Sequence, residues 1–265
     1  MFDTHAHLNF PQYEGRVDEI IKDCQKVGVS GIIVASSNLK DSQKAVELVK
    51  NHSGVLFASV GIHPQKTDPE NKMTINEQLT ILEKLIAVNR PFIKTIGETG
   101  LDFSPAPPGE ESRSREEQKI LFEGQIALAQ KFNLPLIVHA RKSVDEVIEI
   151  LNSRLQPNTP PPRGVFHCYA GGKKRIQKIL NLPGEWYFGF DGNLTYDEGL
   201  QQIIKILPED KILIETDSPF LTPAPHRGEI NTPAYLPLIQ EKINEILEKN
   251  LKKKIEENSR KLFRI

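Results

Sequence analysis

Two histidines two positions apart, His5 and His7, sit in the short run Met1-Phe-Asp-Thr-His-Ala-His-Leu8. In an extended strand, side chains at i and i+2 point to the same face, so this spacing delivers both imidazoles to one point. Such a pair is half a metal site, and taken alone it is equally a hydrogen-bonded structural pair. Four later residues bear on the choice. Glu98 closes Lys94-Thr-Ile-Gly-Glu98, His139 closes Leu134-Pro-Leu-Ile-Val-His139, His167 closes Gly164-Val-Phe-His167, and Asp217 closes Lys211-Ile-Leu-Ile-Glu-Thr-Asp217. Each ends an apolar run, where a charged or imidazole side chain is costly to bury unless it is paired or bound to a metal. Four imidazoles and two carboxylates make a donor set for divalent metal.

The runs that carry these residues belong to a regular alternation. Strand-like segments rich in Val, Ile and Phe span 2–8, 31–36, 56–62, 94–100, 134–140, 164–169, 186–192 and 211–217. Between them, 16–27, 42–51, 76–89, 114–132, 144–155, 173–182 and 198–207 have apolar residues at three- and four-residue spacing. A further helix over 235–249 follows the last strand, and 255–263 adds another turn or two. Strict βα alternation eight times over predicts an α/β fold, a single-domain (β/α)8 TIM barrel, because each parallel crossover needs a helix. A doubly wound open sheet is the runner-up, disfavoured because no glycine-rich phosphate loop follows the first strand. In a barrel, all six candidate ligands aim at one mouth. Proline-rich stretches at 104–112 and 219–237 fall on that same face, whereas 156–163 is a connector on the opposite one.

Length and composition are compatible with this reading. The chain has 265 residues, 38% of them apolar, enough for one full core. With 34 basic and 35 acidic residues the formal charge is −1, which argues against coating nucleic acid over a broad surface. A polyanion would have to be gripped locally. Cys24 and Cys168 give neither a disulfide framework nor a CxxC site, and strand alternation turns Cys168 away from His167. The chain enters its first strand without a basic leader or apolar signal core and has no run long enough to span a bilayer, so a cytoplasmic location is expected, with no membrane association and no obligate protein partner. Lys173-Lys-Arg175 and Lys252-Lys-Lys254 read as solvated faces.

Six motifs also carry a resemblance: Phe2-Asp-Thr-His-Ala-His-Leu8, Gly61-Ile-His-Pro64, Gly97-Glu-Thr-Gly-Leu-Asp102, His139-Ala-Arg141, His167-Cys-Tyr-Ala-Gly171 and Glu215-Thr-Asp-Ser-Pro219. In order and over the whole chain they resemble the motifs of the TatD family of metal-dependent deoxyribonucleases, barrels of the amidohydrolase-like superfamily. The resemblance implies two divalent ions: His5, His7 and Asp217 on one, His139 and His167 on the other, and Glu98 bridging. Magnesium, manganese and zinc are the candidates. Imidazole ligands suit the softer ions, while the family is usually described as magnesium-dependent. Asp217 would take the proton of the attacking water, and Asp217 and Glu98 are the expected catalytic carboxylates.

Other matched positions imply substrate handling. Arg141, two residues past His139, and His63, after the third strand, could hold phosphate oxygens, and Arg227 matches a basic residue that the family places after its last strand. His226 and Arg227 are otherwise a solvated loop pair. Glu215 alternates with Asp217 and would orient a ligand or substrate group from one layer deeper. The chain departs from the family where substrate is handled: Lys142 replaces a common acidic residue, and Glu229 and Thr232 change a basic stretch that usually ends in Asn-Glu-Pro. The expected activity is hydrolysis of nucleic-acid phosphodiesters, as an exonuclease on single-stranded DNA or RNA. An ester or amide hydrolase and a non-catalytic scaffold are the alternatives.

Overall fold

The computed structural model describes residues 1–68, 70–106, 109, 111–153 and 159–265. Eight parallel strands form one sheet in chain order: β1 (Phe2–Ala6), β2 (Gly31–Val34), β3 (Leu56–Val60), β4 (Ile93–Asp102), β5 (Leu136–Arg141), β6 (Gly164–Phe166), β7 (Trp186–Phe190) and β8 (Ile212–Ile214). Helices alternate with them: α1 (Val17–Lys26), α2 (Leu39–Asn51), α3 (Ile75–Asn89), α4 (Arg115–Phe132), α5 (Val144–Ser153), α6 (Lys173–Leu180), α7 (Glu198–Ile204) and α8 (Leu236–Leu247), followed by α9 (Lys252–Phe263). The sheet curls into a nearly closed (β/α)8 barrel. A parallel bridge between Ala6 and Ser218 joins the first strand to the segment beyond the last. His7 N–H donates to Ser218 O at 2.8 Å and Asp217 N–H to His5 O at 2.9 Å.

The strands are apolar without alternation because both faces are buried. Ile32, Val34, Ala58, Val60, Val138 and Phe188 pack in one large cluster with helix residues such as Ile20, Val46, Ile86, Ile126 and Ile239. Phe2, Ile33, Ile137, Val165, Tyr187 and Leu213 form a second, smaller cluster that Leu262 and Phe263 of α9 join. The expected turn or two over 255–263 is thus a twelve-residue helix that packs on the barrel interior.

Helix starts follow their caps. Asn38 accepts from Asp41 N–H, so α2 begins before the expected 42–51, because the cap lies ahead of the apolar periodicity. Thr74 with Glu77 and Ser114 with Glu117 form capping boxes at α3 and α4. Strand ends differ more from expectation. β6 and β8 stop at Phe166 and Ile214, short of 169 and 217, because Cys168 (φ 44°) and Asp217 (φ 52°) take left-handed backbone that no ladder accommodates. In contrast, β4 runs on to Asp102, past the expected end at Gly100. Of the expected helix over 144–155, residues 154 and 155 lie outside the described residues, as do parts of the proline-rich stretches 104–112 and 156–163. Among the described residues no helix is long and apolar enough to cross a membrane.

Candidate metal centre

The six candidate ligands converge at the C-terminal mouth of the barrel, where all but the fully buried His5 line a cavity of about 940 Å3. His5 and His7 lie on and just past β1. Their Nε2 atoms are 3.1 Å apart, and Asp217 Oδ1 stands 3.3 Å from the first and 3.5 Å from the second. On the other side, His139 Nδ1, His167 Nε2 and Glu98 Oε1 form a triangle with sides of 3.0 Å. Glu98 joins the two groups: its other oxygen, Oε2, lies 3.8 Å from His5 Nε2 and 3.7 Å from His7 Nε2.

Glu98 is placed by an irregularity. Ile96 packs in the large strand–helix cluster, and strict alternation would send Glu98 the same way. Instead, the register between β4 and β5 shifts between Ile96 and Thr99, and Glu98 lines the cavity. At Gly100 (φ 127°), a Cβ would lie 2.0 Å from His139 O, so this stretch of β4 can lie against the ligand-bearing strand only as glycine.

The donor set fits divalent cations. Three ligands of a tetrahedral ion with bonds of ~2.1 Å stand about 3.4 Å from one another, close to the spacing in both triangles. The buried Nδ1 atoms of His5 and His7 have no hydrogen-bond partner, nor has that of His167, so internal hydrogen bonding does not account for these imidazoles.

Burial and mutual charge set the protonation of the cluster. Burial alone would raise the Glu98 carboxyl, but positive charge on His167 and His63 and hydrogen bonds from His139 and His167 hold it well below its ordinary value. Burial likewise disfavours charge on His167, yet Glu98 beside it pushes this imidazole up to about 9. His5 is lowered to about 3 by burial and by the charge of His167. Asp217 is lowered despite burial, by its hydrogen bond with His7 and by the charge of His5. A cation entering this set must displace the proton that His167 holds.

The remaining expected residues divide. Arg141 ends β5 and lines the cavity, exposed; His63 lines it too, with Nε2 3.8 Å from Glu98 Oε1. Glu215 is fully buried; Oε1 accepts from Cys168 N–H at 2.5 Å and lies 3.8 Å from His167 Nδ1, and Oε2 accepts from Thr4 Oγ1. Gly189 makes room for it: a Cβ there would meet Glu215 Oε2 at 2.6 Å. Arg227 is not brought to the cavity. Its guanidinium sits 4.0 Å from the Tyr196 ring centroid, while His226 stacks on Tyr235 and Glu229 bonds both His226 and Tyr235. Lys142 is exposed on the cavity rim, and Thr232 caps the turn before α8.

One expectation is overturned. Cys168 does not turn away: β6 has ended, and its thiol falls in one group with His167 and Asp217 ligand atoms. Arg175, expected on a solvated face, is 40% exposed and pairs with Asp145 at the edge of the cavity.

Two polar residues escape the sequence reading. Asp102, at the true end of β4, has Oδ2 3.2 Å from His139 Nε2 and accepts from Ser104 N–H and Oγ. Burial opposes its charge, but these bonds hold it at about 2. It satisfies the strand-end criterion once β4 is given its full length. Asp3 is fully buried and accepts from His5 N–H at 3.1 Å, Thr216 N–H at 3.0 Å and Thr216 Oγ1 at 2.6 Å, with burial pushing it up to about 7. Its position early in β1 carries no strand-end signal.

Comparison with known proteins places this geometry. The family model described as TatD related DNase matches residues 2–264. The chain is 32% identical to a Bacillus subtilis protein named as an uncharacterized metal-dependent hydrolase, YabD, over 100% of this chain and 99% of that one. It is 27% identical to the Pantoea ananatis protein named 3'-5' ssDNA/RNA exonuclease TatD, covering 99% of each. The fold is shared with YJJV, a TatD homologue of Escherichia coli, at a TM-score of 0.86 and 24% identity over 100% of this chain and 98% of that one. The chain belongs to the TatD family of metal-dependent hydrolases, enzymes of ester bonds.

Proposed function

We propose that this hydrolase removes nucleotides from the 3′ end of single-stranded DNA or RNA, using two divalent ions, magnesium, manganese or zinc. The observation that carries it is Glu98, whose Oε1 is itself a corner of one triangle of ligand atoms while its Oε2 faces the other in the same cavity. The strand polarity and substrate rest on the relatives named as 3'-5' ssDNA/RNA exonucleases. Ions held there supply Lewis acidity that activates water and neutralises the leaving oxygen. His5, His7 and Asp217 would hold one, His139 and His167 the other, with Glu98 between them. Asp217 turns Oδ1 to the histidines, which leaves Oδ2 to take the proton of the attacking water. Arg141 grips non-bridging phosphate oxygens in the fork geometry of a guanidinium, and His63, beside Glu98, donates to them. Asp102, within hydrogen-bond distance of His139 Nε2, fixes that ring, and Glu215 places a carboxylate 3.8 Å from His167 Nδ1.

The test is hydrolysis of an end-labelled single-stranded oligonucleotide by metal-stripped protein, resupplied in turn with magnesium, manganese and zinc. Cleavage should require metal, shorten the strand from its 3′ end and vanish in Glu98→Ala. A protein that binds two ions yet cleaves no oligonucleotide would overturn the reading in favour of an ester or amide substrate.

A further inference from the structure

Among the described residues six large apolar side chains are exposed, and five of them, Val27, Val88, Ile120, Ile206 and Ile230, are aliphatic and outside the cavity. The sixth, Phe220, is 49% exposed and lines it. A single exposed apolar residue needs no explanation. This one has three properties that call for it. It stands three residues past Asp217, with its ring centroid 6.2 Å from that of His7 at 72° and 6.2 Å from that of Phe10 at 78°. Phe10 in turn stacks on His7 at 4.4 Å, so aromatic surface is continuous from the ligand to the rim. The backbone that presents Phe220 is also held at both ends. Its N–H donates to Asp217 O at 2.9 Å, and its carbonyl accepts at 2.6 Å from Asn231, a buried side chain that also donates to Thr216 O.

The third property is the contrast across the mouth. Strands follow one another around the barrel in chain order, so the segments after β1 and β8 face those after β3 and β5. The first side offers Phe10 and Phe220; the second is polar, with His63, Gln65, Arg141 and Lys142 beside the carboxylates Glu111, Glu146 and Asp145, the last paired with Arg175. A nucleotide divides its own surface in the same way, between a flat apolar base and an anionic phosphodiester.

We propose that Phe220 is the stacking platform for the unpaired 3′-terminal nucleobase, with Phe10 bracing it against His7. This deepens the nuclease reading above and rests on it. Every base has a π-face, so the contact selects for the presence of an unpaired base and tolerates any sequence. A 3′-terminal base paired in a duplex is tied to its partner strand and must be unpaired before it can turn onto the ring.

The experiment compares two single-stranded oligonucleotides, one ending in an ordinary 3′ nucleotide and one in an abasic tetrahydrofuran residue, with wild type, Phe220→Ala and Phe220→Trp. Wild type should cleave the ordinary end with kcat/KM about 5- to 100-fold above the abasic end. Phe220→Ala should bring the two substrates together, and Phe220→Trp should keep them apart. A 3′-terminal 2-aminopurine should lose fluorescence on binding wild type and Phe220→Trp, and retain it with Phe220→Ala, whose metal content and circular dichroism serve as folding controls. Equal cleavage of both ends by wild type, or full discrimination by Phe220→Ala, overturns the platform and leaves the nuclease reading standing. Cleavage of neither oligonucleotide by metal-loaded wild type overturns both.

Discussion

Single side chains at this mouth divide between the candidate ligands and those that hold them still. His139 turns Nδ1 to Glu98 and gives Nε2 to Asp102, so Asp102 selects the ring's orientation. Replacing a carboxylate that orients a metal-ligating imidazole costs about 10–100-fold in metal affinity. Asp102→Asn should weaken metal binding by that factor, measured by competition with a chelating dye; unchanged affinity would remove Asp102 from the site. The pH dependence has a definite sign. His167, held at about 9, carries a proton at neutral pH that a cation must displace, so apparent affinity should rise as pH rises towards about 9. Calorimetric titration in buffers of different ionisation enthalpy should show proton release at pH 7. Buffer-independent heats would contradict the proton placement. At this scale the convergence of the six candidate residues is legible from residue type and position in the strands. Asp3 and Cys168 are not, since their roles depend on partners distant in sequence or on a single left-handed residue.

At the scale of elements, βα alternation is legible because buried parallel strands and amphipathic helices have different apolar periods. The junctions are not. The register shift that turns Glu98 into the cavity, and the left-handed residues ending β6 and β8, answer to contacts such as Asp217 N–H with His5 O, which no local window contains. Asp3 is a side-chain tie at the seam between β1 and the segment past β8, accepting from two Thr216 donors across it and from His5 N–H in its own strand. Asp3→Ala would leave the His5 and Thr216 N–H groups without their acceptor in a dry site. The expected cost is about 2–4 kcal/mol, seen as a lower urea midpoint at unchanged slope. A loss under 0.5 kcal/mol, roughly the scatter of surface substitutions, would mean that the seam closes without it.

For the molecule as a whole, a formal charge of −1 leaves little long-range attraction for a polyanion. Grip must come from the few cationic groups and ions at the mouth. Binding of single-stranded DNA should therefore depend weakly on salt, with a log–log slope of about −1 to −2, the equivalent of one to three phosphates. A slope steeper than about −4, from fluorescence anisotropy at several salt concentrations, would instead require an extended basic track.

The seam also sets a timetable. Asp3 meets Thr216 across 213 residues, and Asp217 joins His5 and His7 over almost the same separation. At translation rates of about 5–20 residues per second, the first two histidines leave the ribosome roughly 10–40 s before the carboxylate that completes their group. The nascent chain thus carries an incomplete chelate for most of its synthesis. On the proposed ligand set, a cation at His5 and His7 would gain its carboxylate only with the eighth βα unit, so the finished barrel, and not its leading strand, would be the competent chelate.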